Sequence, residues 1–158
     1  SEEKPVLKGV VSLLDIFMNI DLERIPEKQV LEIMTTKVVT TRPDDHITRI
    51  WDLMIEEDFT GLPVVKDDRT IGMITRFDML KGTARIGKES ERRPSDSMQM
   101  PVEKFMSTPL YSVKPEDSVC SVIELMLKHD VGRMSVVDDG MLVGIVDRND
   151  LIKCYLGE

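Results

Sequence analysis

Residues 34–80 of the chain recur without a gap as residues 106–152, at a constant offset of 72. Identities fall at Met34/Met106, Thr36/Thr108, Pro43/Pro115, Asp45/Asp117, Leu53/Leu125, Met54/Met126 and Asp58/Asp130. They continue through Val64/Val136, Val65/Val137, Asp67/Asp139, Gly72/Gly144, Arg76/Arg148 and Asp78/Asp150, making 13 in 47 aligned positions. Most other pairs keep their polarity. A unit this short need not bury its apolar face alone, because two copies packed face to face can share a core. A pseudo-twofold contact of that kind also leaves clefts between the copies, where small ligands bind.

Each copy predicts the same order of elements. A short extended segment (Val38–Thr41, Leu110–Val113) is stopped by Pro43 or Pro115, since the residue before proline avoids helix. Asp44-Asp45 and Glu116-Asp117 then read as N-cap and first-turn acids. Apolar residues follow at helical spacing: Ile47, Ile50, Trp51, Met54 and Ile55, matched by Val119, Val122, Ile123, Met126 and Leu127. Leu62-Pro63-Val64-Val65 and Met134-Ser135-Val136-Val137 read as buried strands, with Asp67-Asp68 and Asp139-Gly140 as hairpin turns. A third strand (Ile71–Thr75, Val143–Asp147) leads into a closing helix near Asp78 or Asp150. Strand, helix, strand, strand, helix is an α/β (α+β) unit, expected here as a β-α-β-β-α pair with pseudo-twofold symmetry.

Gly82 to Pro101, with two glycines, a charged run at 88–93 and Pro94, predicts an exposed connector. Arg92-Arg93 within it is either a phosphate-binding pair or simply solvated. At the N-terminus, Gly9–Ile16 aligns with Gly72–Met79 and Gly144–Leu151, as would the last strand and closing helix of a preceding repeat. A chance match of a strand and a capped helix is the alternative. The expected organisation is a remnant over 1–29, one unit over 30–82, a linker over 83–101 and a second unit over 102–158.

A net charge of −8 opposes nucleic-acid binding and adsorption to anionic lipid. No apolar run approaches the ~20 residues that span a bilayer. Cys120 and Cys154 have no metal-ligand spacing with His46 or His129, so free thiols in a reducing cytoplasm are expected. Neither histidine is flanked by a nucleophile, and no P-loop is present, so catalysis is not expected. The reading is a soluble cytoplasmic chain whose parent extends further.

Met34-Thr35 and Met106-Ser107 open the two copies. Leu62-Pro63-Val64-Val65, Gly72-Met73-Ile74-Thr75-Arg76-Phe77-Asp78 and Gly144-Ile145-Val146-Asp147-Arg148-Asn149-Asp150 follow. Over about residues 30 to 155 this pattern resembles the cystathionine-β-synthase (CBS) domain, in the tandem arrangement called a Bateman module. The resemblance implies two units packed through their sheets, with two symmetry-related clefts and no catalytic cofactor. It also implies regulatory binding of an adenosine compound such as AMP, ADP, ATP, S-adenosylmethionine or methylthioadenosine, and association into a homodimer through CBS helices. The N-terminal remnant makes the chain look like the C-terminal half of a four-CBS protein. A ligand-free interaction module remains the alternative.

Thr/Ser-x-x-Asp between the third strand and the closing helix is the best candidate for ribose. An ionised carboxylate accepts hydrogen bonds from both ribose hydroxyls, and the resemblance carries that role to Thr75 and Asp78. The same spacing is also a helix capping box, which favours Glu or Gln at the fourth position. Asp in all three copies therefore tilts the reading toward ribose. In the second copy Asp150 matches but Asp147 replaces the hydroxyl, and two adjacent carboxylates would repel phosphate. Arg133 stands where many CBS copies carry a phosphate-binding cation, whereas the first copy has Gly61 beside Thr60. Arg76 and Arg148 are further candidates. Val39-Thr40, Tyr111-Ser112, Leu62-Pro63 and Met134 are expected around the adenine.

Overall fold

The computed structural model describes residues 6–89 and 99–157. The first repeat unit contains α2 (Ile47–Glu56), β1 (Gly61–Lys66), β2 (Arg69–Thr75) and α3 (Arg76–Glu89). The second contains β3 (Ser112–Val113), α4 (Val119–His129), β4 (Arg133–Asp138), β5 (Met141–Asp147) and α5 (Arg148–Leu156). A six-residue helix, α1 (Leu13–Met18), precedes both. Asp67 and Asp68 (φ 49° and 62°) and Asp139 and Gly140 (φ 47° and 84°) make the expected left-handed hairpin turns.

The strands form one sheet in the order β1-β2-β5-β4-β3. Strands β2 and β5 join the two halves of the sheet at one antiparallel pair, Arg69 with Met141, which are each other's counterparts at offset 72. The pseudo-twofold axis therefore passes through that pair. The bridges obey the same symmetry: Thr35 pairs with Ile145 and Ser107 with Met73, while Gln29 pairs with Ser118 and Pro101 with His46.

These bridges reveal an exchange of lead-in segments between the units. Val30 is fully buried in the core of the second unit, with Val119, Val122, Met126, Val136 and Leu151. Val102 and Phe105 are buried in the core of the first, with Ile47, Ile50, Met54, Val64 and Ile74. Gly72 and Gly144 permit the approach. A Cβ on Gly72 would lie 2.9 Å from the Ser107 carbonyl oxygen, and one on Gly144 would lie 2.6 Å from Met34 Sδ. The shared glycine thus serves contact between backbones.

Several local expectations change in detail. Val38–Thr41 forms no strand; Thr41 N–H donates to Pro63 O (3.0 Å) and accepts at its carbonyl from Val65 N–H (2.9 Å). Pro63 stands where Ser135 pairs with Ser112 in the second unit. Without an N–H, Pro63 cannot donate to a ladder. The acids after Pro43 and Pro115 are not caps: His46 and Ser118 hold those positions. Asp45 instead accepts from Arg42 N–H (2.8 Å) and Thr41 Oγ1–H (2.8 Å), and Asp117 from Lys114 N–H (2.7 Å). They close the turns before the helices.

In the expected helix stripes, Ile55 (54 % exposed) and Leu127 (37 %) lie outside the core. Residues 6–12 form no strand, because no neighbouring strand pairs with them among the described residues. Only the helical half of the Gly9–Ile16 match forms, and α1 delivers Phe17 to the second core. Helix α3 continues through Gly82 to Glu89, so the expected connector begins as helix. Gly82 lies under the ring of Phe105 and is a packing position within that helix. Arg92 and Arg93 lie outside the described residues. No helix among the described residues is long and apolar enough to cross a membrane.

Candidate functional site

All three Thr/Ser/Asp-x-x-Asp segments form capping boxes. Asp78 Oδ2 accepts from Thr75 N–H (2.9 Å) and Thr75 Oγ1–H (2.5 Å), while Thr75 Oγ1 accepts from Asp78 N–H (3.1 Å). Asp147 and Asp150, and Ser12 and Asp15, repeat the motif. The expectation that aspartate argues against a cap fails here, because the strand brings the preceding backbone N–H within reach of the shorter side chain. Capping and ligand binding are compatible at Asp78. A carboxylate has about four lone-pair positions, and three are used: two by Thr75 and one by Ser107 Oγ–H, which donates to Asp78 Oδ1 at 3.0 Å. Ser107 arrives on the exchanged lead-in.

Two clefts, A and B, flank the pseudo-twofold axis. Cleft A, of about 590 Å³, is lined by Met73, Thr75 and Asp78 from the first unit and by Ser107, Pro109, Leu110, Tyr111, Val131 and Arg133 from the second. Cleft B, of about 200 Å³, is lined by Ile145, Asp147 and Asp150 from the second unit and by Thr35, Lys37, Val38, Val39, Phe59 and Gly61 from the first. Every residue named for B is the offset-72 counterpart of one named for A. Each cleft therefore joins the closing-helix turn of one unit to the lead-in and first segment of the other.

Arg133 opens β4 and crosses to the first unit. Its Nη1–H donates to Gly61 O (3.0 Å), its Nη2–H donates to Thr60 Oγ1, and Nη2 lies 3.9 Å from Asp147 Oδ2. Arg133 and Asp147 line both clefts. Burial lowers the Arg133 pKa, opposed by the nearby Asp147 charge. Burial also pushes the Asp150 carboxyl above its ordinary value, with Asp147 adding repulsion and the Asp147 N–H opposing both. Arg148 lines cleft A as well; its Nη2–H donates to Val131 O (3.2 Å), and its guanidinium lies 5.5 Å over the Phe17 ring.

Of the residues expected from sequence, Thr60, Thr75, Asp78, Tyr111, Arg133, Asp147 and Arg148 line cleft A. Val39, Gly61, Leu62, Pro63 and Asp150 line cleft B, together with Arg133 and Asp147. Four expected residues lie elsewhere. Thr40 faces a separate polar depression with Arg42 and Lys66. Ser112 pairs through its backbone with Ser135 and its exposed side chain lines neither cleft. Met134 is 1 % exposed within the second core and lines neither cleft, whereas its counterpart Leu62 lines cleft B. Arg76 donates to Met54 O and to Asp58 Oδ1 (3.2 Å), which ties it to the end of α2. Sequence reading did not place Ser107, Pro109, Leu110, Phe77 and Asn149 in cleft A. The shared Met-Thr/Ser opening was the available signal for Ser107.

The family model of the CBS domain matches residues 30–84 and 102–157, more than half of the chain. The chain is 34 % identical over 122 residues to CBS domain-containing protein YhcV of Bacillus subtilis, covering 77 % of the chain and 81 % of that protein. Three curated archaeal relatives are longer, and the chain spans only 36 %, 45 % and 50 % of their lengths. Among solved structures, protein MJ1225 of Methanocaldococcus jannaschii superposes with a TM-score of 0.81 at 22 % identity, covering 92 % of this chain and 54 % of that one. CBSX2 in complex with AMP superposes with a TM-score of 0.69 at 26 % identity, covering 82 % and 96 %. The duplication, the joined sheet and these matches agree: the chain belongs to the CBS-domain family and carries a tandem pair of CBS domains.

Proposed function

We propose that the chain is a regulatory module that binds an adenosine nucleotide of the AMP, ADP or ATP type in cleft A. The observation that carries this reading is the convergence, in a cleft of about 590 Å³, of a hydroxyl–carboxylate pair from one unit with a largely buried arginine from the other. The ribose hydroxyls donate to the Asp78 carboxylate, using its spare lone-pair position and the one that Ser107 yields. Arg133 supplies charge-assisted hydrogen bonds to phosphate. Met73, Leu110 and Val131 offer the apolar surface that a purine requires. Support from outside the chain comes from CBSX2, which is similar and binds AMP.

Calorimetric titration of AMP, beside melting curves, tests the reading on wild type and Asp78→Ala. Hydrogen bonds to a charged group contribute ~1.5–3 kcal/mol, so the variant should bind AMP about ten- to a hundredfold more weakly. Loss of the cap alone would lower stability by up to ~2 kcal/mol and leave affinity where it was; that result refutes the ribose assignment. Tighter binding of S-adenosylmethionine or methylthioadenosine than of AMP would replace the nucleotide with a phosphate-free ligand. No binding of any of them would favour an interaction scaffold.

A further inference from the structure

Cleft A has a wall that its symmetry mate lacks. Every residue lining cleft B falls within the two repeat copies, 34–80 and 106–152. Cleft A draws on the same two copies and on one residue outside them, Leu13, which opens α1. Phe17, one turn further along the same face of that helix, is fully buried in the second core and anchors α1 there. The Phe17 ring lies 5.5 Å from the guanidinium carbon of Arg148, which opens α5 and itself lines cleft A. Arg148 is also held by Val131 O (3.2 Å) and Asp130 Oδ1 (3.7 Å), so α1 rests on a side chain already fixed.

The hold on α1 is slight. A six-residue helix is not stable by itself and persists only through tertiary packing. Phe17 is its one buried residue, while Leu13, Leu14 and Ile16 remain 41 %, 38 % and 46 % exposed. We propose that Leu13 is a ligand-binding residue of cleft A: its side chain packs on the bound adenosine compound, and the ligand in turn fastens α1 to the second unit. This rests on the adenosine-binding reading above. A ligand seated in cleft A covers apolar surface of Leu13 that is now in water, and that burial favours the complex. Coupling of this kind is reciprocal. The factor by which docked α1 raises ligand affinity is the factor by which the ligand raises the docking of α1. Cleft B has no third element among the described residues, so a ligand there leaves α1 as it was.

Calorimetric titration of AMP, beside amide hydrogen exchange with and without AMP, tests this on the full chain as wild type, Leu13→Ala and Leu13→Met. Alanine and methionine are both good helix formers, so α1 keeps its propensity. Leu13→Ala should weaken AMP binding about three- to tenfold, the loss of a few half-buried carbon contacts, with a ligand-free Tm close to that of wild type. Leu13→Met, which keeps the apolar volume, should bind as wild type does. AMP should also slow exchange of the Ile16, Asn19 and Ile20 amides, which donate to Ser12 O, Ile16 O and Phe17 O. Undiminished AMP affinity in Leu13→Ala, equal weakening in Leu13→Met, or unchanged exchange in α1 on AMP saturation would overturn the proposal. A wild-type chain that binds no AMP would instead overturn the nucleotide reading, and the role of Leu13 with it.

Discussion

Gly82→Ala sets helix propensity against tertiary packing, with opposite signs. Gly82 lies inside α3, where replacing glycine by alanine ordinarily stabilises by ~1 kcal/mol. The structure reverses that expectation. A Cβ at Gly82 would overlap Cδ1 of Phe105 and lie 2.8 Å from Cε1, in a ring only 7 % exposed within the first core. Forcing an extra carbon into a packed core costs ~1–3 kcal/mol, so the net effect should be a loss of about 1 kcal/mol. For a chain of this length that lowers Tm by about 2–4 °C. Urea and thermal melts of wild type and variant read the sign directly. Repeating them in a Phe105→Leu background, where the ring is gone, should turn Gly82→Ala from destabilising to stabilising, a coupling of ~1–3 kcal/mol. A rise in Tm for Gly82→Ala in the wild-type background would refute the packing argument. So would an effect identical in both backgrounds.

Asp150→Asn retains an acceptor for the Asp147 N–H and removes a charge that burial disfavours. Because the folded-state pKa of Asp150 is raised, the folded chain holds that proton more tightly than the unfolded chain. The charge therefore costs stability at neutral pH, and the cost vanishes as pH falls below the ordinary carboxylate value. The variant should melt higher than wild type at pH 7, with the difference shrinking toward about pH 3.5, just below the ordinary aspartate pKa; a constant difference would refute the cause. A third prediction concerns assembly. Phe77 (69 % exposed) and Leu80 (58 %) lie one turn apart on α3 and present an apolar face. We expect a homodimer through this face, dissociated by Phe77→Lys with Leu80→Lys, and light scattering that shows a monomeric wild type at high micromolar concentration would refute it.

Local chemistry made much of the unit legible in the sequence. The left-handed hairpin turns at Asp67-Asp68 and Asp139-Gly140, the buried stripes Ile47/Ile50/Met54 and Val119/Val122/Met126, and the Thr75–Asp78 segment all depend on neighbours within a few residues. Where such reading misplaced a feature, a more distant partner decided. Val38–Thr41 lost its ladder to the missing N–H of Pro63, Met134 was taken into the second core, and Arg76 was taken by the end of α2.

The duplication by itself determined that the fold is a pair of equivalent units and which residues are counterparts. It could not determine which counterpart meets which. An offset of 72 is satisfied equally if Thr35 pairs with Met73 in its own repeat or with Ile145 in the other. Packing chose the second, carrying Val30 into one core and Phe105 into the other. That choice also placed Ser107 on Asp78 and Arg133 across the boundary beside Asp147, and so composed both clefts from two units. Hydrophobic periodicity specifies that a face be buried, because burial is roughly proportional to apolar area and carries no direction. Only the close fit of particular backbones, Gly72 against Ser107 and Gly144 against Thr35, distinguishes an exchanged pair from two self-contained domains.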